Sequence, residues 1–369
     1  MEEPILQETN QKEVTCSNCS AKLTYLPGTV SLKCEYCGTE NEIPIEETIV
    51  EEIDFDKFIS EQFNNIQKEE VSTVRCNSCG AITTFDPNIV SDFCPFCSSV
   101  LTLKNPETIS VLRPALLLPF KFDHKKAFDN FQNWIKKLWW APNDLKKYAV
   151  KKEKLKGIYI PYWTYDSQTE TKYTGMRGDN YYVQESYTTT ENGKTVTKTR
   201  TVTKIRWTPA SGHVSHFFDD MLVVASNSLP VKYVERLEPW DLTELLNYKE
   251  TFLSGFKTES YQIDMKDGFV TAKDKMTKII RTLVNKDIGG DHQRIHTMNT
   301  KYDKVTFKHI LLPIWVSAYR YKNKVYRFLI NGQTGKVQGE RPWSWIKITL
   351  AIIASLAFIA GLVYLFGDF

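Results

Sequence analysis

The eight cysteines constrain this chain more than any other feature. They form two sets, Cys16, Cys19, Cys34, Cys37 and Cys76, Cys79, Cys94, Cys97, and the 369 residues hold no other cysteine. In each set two Cys-x2-Cys hooks stand fourteen residues apart, and the second set repeats the first sixty residues later. The match extends beyond sulfur. Ala21 aligns with Ala81, Thr24 with Thr84, Tyr25 with Phe85, Pro27 with Pro87, Val30 with Val90, Ser31 with Ser91 and Tyr36 with Phe96. This is a tandem repeat. A unit of fewer than about 40 residues buries too little apolar surface to hold itself together. A Zn2+ ion bound by four thiolates supplies on the order of 10 kcal/mol or more per site. Disulfides would also use the cysteines, but the matched hooks and the lack of an export signal favour thiolates. Four sulfurs fill the tetrahedron and leave no position for a reactive water, so two structural zinc ions are expected.

Residues 1–14 carry Glu2, Glu3, Glu8 and Glu13 without an apolar core. They read as a disordered lead rather than a secretory signal. Zinc ribbons are expected over 15–44 and 74–104, separated by an acidic linker over 45–73. Phe55, Phe58, Ile59, Phe63 and Ile66 recur at helical spacing, so 54–67 reads as an amphipathic helix. Its stripe either packs on the neighbouring ribbon or docks a partner.

The net charge of +3 hides an asymmetry. Residues 1–105 hold 18 acidic against 7 basic residues, a net of −11, so the remainder carries +14. An acidic head on a basic body implies different partners for the two.

After Pro106 the composition changes. Residues 116–120 read as a short apolar strand. Asp123 caps a helix with Ala127, Phe128, Phe131, Trp134, Ile135, Leu138 and Trp139 as its apolar positions, Lys136 and Lys137 in its last turn and Pro142 as its stop. A second short helix is expected over 144–151. Two strand motifs contain a proline, Tyr159-Ile160-Pro161-Tyr162-Trp163 and Leu312-Pro313-Ile314-Trp315, which suggests edges or bulges. Residues 181–207 are rich in Tyr, Thr and Val around Asn192-Gly193, a strong hairpin signal, and read as an exposed arm. Further expectations are a buried strand over 221–225, a short helix over 239–248 and a longer helix over 268–286. The apolar positions of that longer helix are Val270, Met276, Ile279, Ile280, Leu283 and Val284.

Residues 348–366 contain no charge, which is long enough to cross a bilayer. Eleven of them are Leu, Ile, Phe or Val, giving on the order of −5 kcal/mol for insertion. Trp343 and Trp345 stand as interfacial anchors, and Arg341 and Lys347 flank the entrance. Basic residues before the span and none after it place the N-terminal bulk in the cytoplasm, where reduced thiols persist. The expected fold class is therefore α+β: two tandem zinc ribbons, a β-rich body of two related α+β halves over 105–212 and 213–341, and one C-terminal transmembrane helix over 345–366. The expected location is the cell membrane, single-pass and tail-anchored.

The doubled four-cysteine ribbon, the two proline motifs and Ile330-Asn331-Gly332-Gln333-Thr334-Gly335-Lys336 before a terminal span together resemble bacterial zinc-ribbon membrane proteins. These are often labelled as similar to the primosomal replication helicase or to a transcription-factor-type zinc ribbon. The resemblance covers most of the chain and brings no activity with it. A helicase motor needs Gly-x4-Gly-Lys-Ser/Thr. The pair Gly193-Lys194 is followed by Thr195 but has Thr188 in the leading position, and Gly335-Lys336 has Ile330 and Val337 at the two decisive places.

Other chemistry is sparse. His213 with His216 and His292 with His296 have metal-like spacing but no third ligand nearby, and read as surface or strand histidines. Asp219-Asp220 reads as paired carboxylates or as a turn before a strand. No free cysteine or Gly-x-Ser-x-Gly nucleophile is present, so no catalytic residue, organic cofactor or small-molecule substrate is expected. An enzyme with a cleft in the β body stays a third reading. The basic body suits an anionic lipid surface, a nucleic acid through Lys194, Lys198, Arg200, Lys204 and Arg206, or simple solvation. The leading expectation is an acidic ribbon head that binds a protein partner. Its alternative is a nucleic-acid-binding module of replication or transcription.

Overall fold

A computed structural model describes residues 15–45, 52–60, 68–78, 80–84, 91–96, 99–102, 107–145, 155–191, 194–322 and 324–366. The expected lead over 1–14, the second half of the helix over 54–67, most of the helix over 144–151 and the Asn192-Gly193 turn lie outside them.

The segment of the first expected ribbon holds a three-stranded antiparallel sheet, β1 (Leu23–Tyr25), β2 (Ser31–Cys34) and β3 (Glu40–Glu42). A short strand β4 (Ile53–Asp54) and helix α1 (Phe55–Ser60) follow. The second ribbon region holds β5 (Lys68–Arg75), β6 (Ile82–Thr84), β7 (Ser91–Phe93), β8 (Val100–Thr102) and β9 (Glu107–Leu112). Strand β5 starts inside the expected linker and pairs with β9 from Lys68↔Leu112 to Thr73↔Glu107. Strand pairing around the second cysteine set thus reaches from Lys68 to Leu112, beyond both ends of 74–104.

The body comprises β10 (Leu116–Leu117), α2 (His124–Lys137), β11 (Lys156–Glu191), β12 (Lys194–Val224), α3 (Val231–Glu235), β13 (Leu246–Asn247), β14 (Lys257–Thr258), α4 (Met265–Ile288), β15 (His292–Tyr321), β16 (Lys324–Asn331) and β17 (Val337–Gly339). The last element is α5 (Trp345–Phe366). Asp123 caps α2 by accepting the Lys126 N–H at 2.9 Å. Asp264 caps α4 by accepting those of Lys266 and Asp267. Two short elements replace the helix expected over 239–248, a 3-10 turn at Leu242–Glu244 and β13.

Strands β11 and β15 form the centre of a large sheet and pair antiparallel, with Tyr159↔Pro313, Ile160↔Leu312 and Pro161↔Leu311 in register. The outer neighbours of the two strands correspond. Strand β14 runs parallel to β11 at Ile158↔Lys257, and β10 runs parallel to β15 at Leu116↔Ile310. Strand β12 then flanks β11, and β16 flanks β15.

Two expectations change here. The boundary between 212 and 213 does not separate two units, because β12 runs straight through it and both proline motifs lie in one sheet. The prolines are central rather than at an edge or bulge. Each places its missing N–H where an outer neighbour ends. The Pro161 carbonyl accepts from Ala225 just past β12, and the Pro313 carbonyl accepts from Gly332 just past β16.

Helix α1 packs on the body rather than on a ribbon. The Phe55 ring lies 4.6 Å from that of Phe269 and the Phe58 ring 5.1 Å from that of Phe307, while Ile59 faces solvent. Helix α4 lays Met276, Ile280 and Val284 on the sheet and exposes Val270 and Ile279. Gly268 lets it approach closely, since a Cβ there would overlap the Tyr165 hydroxyl. The buried residues of 221–225 are Val223, Val224 and Ala225, at the end of β12.

Strands β11 and β12 stay paired out to Glu191↔Lys194, but β15 leaves them after Gly178↔His292. A two-stranded arm therefore projects about 40 Å beyond the three-stranded region. Isolated hairpins are marginal. This one is braced by Lys204–Glu185 at 2.8 Å and by Arg200 over Tyr187 and Arg206 over Tyr181.

Candidate metal centre

The first hook is built by the backbone. The Cys16 N–H donates to Ala21, the Ser20 N–H returns to the Cys16 carbonyl at 2.9 Å, and Ser20 takes a φ of 58°. The second hook repeats this geometry. The Cys34 N–H donates to Thr39, the Gly38 N–H donates to the Cys34 carbonyl at 3.0 Å, and Gly38 has a φ of 75°. A left-handed residue two or more positions past the first sulfur turns the chain so that both sulfurs of a hook face one point.

The sulfurs of Cys16, Cys19, Cys34 and Cys37 all lie within 4.8 Å of one another. Cys16 and Cys37 are 3.6 Å apart and Cys19 and Cys34 are 3.4 Å apart. Zn–S bonds of about 2.3 Å place tetrahedral sulfurs roughly 3.8 Å apart, so four unbonded thiols at this spacing fit one metal ion. Hydrogen bonds support thiolate character. The Asn18 N–H points at the Cys16 sulfur at 3.4 Å. The Thr39 hydroxyl, with its backbone N–H, holds Cys37 down to about 6. The Ala21 N–H favours a Cys19 thiolate, yet the neighbouring sulfurs of Cys34 and Cys37 push it up to about 12. The cluster resists carrying four negative charges alone, and a divalent soft cation removes that resistance.

The second unit carries the same backbone device. The Cys76 N–H donates to Ala81, the Gly80 N–H donates to the Cys76 carbonyl at 2.8 Å with Gly80 at φ 77°, and the Cys94 N–H donates to Ser99. Cys76 and Cys94 are buried, as Cys16 and Cys34 are. Cys79 and Cys97 lie outside the described residues.

Both ribbons merge with the body. Leu23, Tyr25 and Leu32 join an apolar cluster with Phe120, Phe252 and Phe328. The Tyr25 N–H donates to Ser254, and the Gly28 N–H donates to Phe120 at 2.7 Å. Val74, Ala81, Phe96 and Leu101 join a second cluster with Ile158, Ile160 and Ile314. Thr83 forms an isolated bridge with Glu259.

A second charged centre lies in the body. Asp219 and Asp220 are within strand β12, not in a turn before a strand, and they meet Asp166 across the sheet. The ammonium of Lys308, buried on the neighbouring strand, lies 2.6 Å from Asp220, 3.3 Å from Glu52 and 3.7 Å from Asp166. Burial and the adjacent Glu52 push Asp166 up to about 6. Against the cost of its own burial, Lys308 is held above the ordinary lysine range by Asp220, Asp166 and Glu52. Beside it His309 is fully buried, and burial drops it to about 4. Its Nδ1 lies 2.9 Å from the Leu112 carbonyl, so the neutral ring keeps its proton there. Sequence reading missed this group, although Lys308 and His309 interrupt an otherwise apolar run. The paired-histidine reading is not met among the described residues. His213 lies 3.9 Å from Glu170, His216 packs on Phe218, and His292 contacts Asn180.

Helix α5 is long and apolar enough to cross a membrane, and none of its apolar window is buried against the protein.

No family model and no solved structure matches the chain. It is 27% identical over 250 residues to the uncharacterized protein YdjG of Bacillus subtilis (strain 168), a match covering 64% of this chain and 66% of that protein, just under two thirds.

Proposed function

We propose that this chain is a membrane protein, held by the helix α5, whose two zinc ribbons form a protein-binding or scaffold module on the cytoplasmic face. The observation that carries the reading is the closed four-sulfur cluster of Cys16, Cys19, Cys34 and Cys37 in a chain that also carries an unburied apolar helix. A closed thiolate set holds shape rather than substrate. The shared backbone of the hooks supports a second ion at Cys76, Cys79, Cys94 and Cys97. Arg341 and Lys347 at the entrance of the span support the cytoplasmic orientation. The corresponding neighbours of β11 and β15 support two related halves, drawn as β10-α2-β11-β12 and β14-α4-β15-β16.

The ribbons offer contact surface. Tyr36 stands 84% exposed between Cys34 and Cys37, beside exposed Glu35, and Phe93 and Val100 are exposed on the second ribbon. Aromatic anchors on a metal-stiffened frame suit protein recognition. The test is photo-crosslinking from Tyr36 and from Phe93 in native membranes. Protein adducts at these sites, absent from an α4 control such as Val270, support the reading, and crosslinks no more frequent than at the control contradict it.

A second reading has one observation in its favour. Strand alternation puts Lys194, Lys198, Arg200, Lys204 and Arg206 on one face of the arm. Tight, salt-sensitive DNA binding by the detergent-solubilised chain, lost on reversing these charges, would replace the scaffold reading with a nucleic-acid module.

A further inference from the structure

The C-terminal end of α2 is fastened to the start of α5. The Lys347 ammonium donates to the carbonyls of Trp139 at 2.9 Å and Ala141 at 2.8 Å, and the Ser344 N–H donates to Trp140 at 2.8 Å. These carbonyls belong to the turn that follows α2, which ends at Lys137 with Leu138 as its cap, so the three bonds tie that turn to the start of α5. The bonds hold the Trp139–Trp140 turn level with the first turn of α5. The Trp139 indole is 76% exposed there, close to the 78% of Trp345. A groove of about 780 Å3 separates turn and helix, lined by Leu138, Trp139, Trp140, Lys347, Leu350 and Ala351. Leu350 lies only about 4.5 Å further along the helix axis than Lys347. The groove is therefore continuous with the apolar surface of α5. Lys136 and Lys137 are exposed in the last turn of α2, and Lys136 also lines the groove.

We propose that Trp139 and Trp140 form a second contact with the bilayer interface, so that the body is seated on the membrane rather than suspended from a tether. The occupant of this surface is phospholipid, because the groove's far wall is the helix read as the span. Tryptophan is suited to the headgroup level, where its ring is apolar and its N–H finds an acceptor. The two lysines meet anionic headgroups. Lys347, which sits where a free lysine would turn toward the headgroups, is bonded to the turn instead and fixes its depth. The inference rests on the reading of α5 as a membrane span.

The test uses the full chain labelled throughout with 5-fluorotryptophan, in nanodiscs of phosphatidylcholine and phosphatidylglycerol with a nitroxide at headgroup level. Resonances are assigned with Trp139→Phe, Trp163→Phe and Trp345→Phe. The Trp139 and Trp345 lines are expected to lose most of their intensity, and the line of Trp163, buried in the core, to keep its own. A broadened Trp345 with a sharp Trp139 would overturn the second contact and leave the span standing. Two sharp lines would overturn the span and the contact with it. Lys347→Met is expected to restore much of the Trp139 line while Trp345 stays broadened; an unchanged Trp139 line would overturn the role of Lys347.

Discussion

The first ribbon and the Asp166–Lys308 centre both gather negative charge at one point, but they neutralise it differently. The ribbon brings four sulfurs together in a set that could hold one metal ion. The body brings Asp166, Asp220 and Glu52 together around Lys308, 5% exposed in its side chain. The first is a set that an added metal ion would complete, and the second has its cation in the fold. The difference follows from size. A ribbon of three short strands has no interior in which to bury a lysine stem, whereas the broad sheet of the body does. In the body Lys308 supplies a counter-charge to Asp166, Asp220 and Glu52 from within the fold.

Four changes sharpen the contrast. The largest effect is expected from Cys34→Ser or from stripping the metal. Loss of a stabilisation on the order of 10 kcal/mol leaves the first ribbon without a fold. Amide exchange of β1 to β3 should become unprotected while β11 and β15 stay protected, and equal protection throughout would break the account.

Lys308→Met removes the internal cation and leaves buried carboxylates facing one another. A loss of about 3–5 kcal/mol is expected in chemical denaturation of the detergent-solubilised chain. The same variant should gain affinity for a divalent cation such as Mn2+, followed by calorimetry, and no gain would show that the lysine is not what excludes one.

Glu259 is a third solution, a buried carboxyl with no ion pair among the described residues. It accepts from Ser228 and from Gln262 at 2.8 Å, and burial pushes it up to about 7. A carboxyl raised in the folded state holds its proton longer than in the unfolded chain. Stability therefore falls as pH rises from about 4.5 through about 7. Glu259→Gln should flatten that slope and stabilise by up to about 3 kcal/mol at pH 8. A slope that survives the substitution would place the titrating group elsewhere.

The smallest effect is expected at Tyr36, which touches no core. Tyr36→Ala should change stability by about 0.5 kcal/mol or less. It should still reduce crosslinking of partners at the nearby ribbon surface, and unchanged crosslinking would remove Tyr36 from the contact.

The four sulfurs of the first centre were legible because Cys-x2-Cys is a local device whose turn is encoded within five residues. The terminal apolar helix was legible for the same reason: its length and lack of charge are properties of one segment. The body was less so. Pro161 and Pro313 signalled edge strands, and only the strand ends at Ala225 and Gly332 show how a central strand accommodates them. The stripe of Phe55 and Phe58 announced a buried face without saying against what, since its partners Phe269 and Phe307 are remote in sequence. The Asp166–Lys308 centre draws its members from β11, β12, β15 and the start of the linker, so no short pattern could reveal it.

We propose that both cysteine sets are closed, structural metal centres. Native mass spectrometry of the full chain released from detergent tests it most directly. The account predicts two zinc ions per chain and eight reduced cysteines. A single ion, or a mass short by the hydrogens of disulfides, would contradict it.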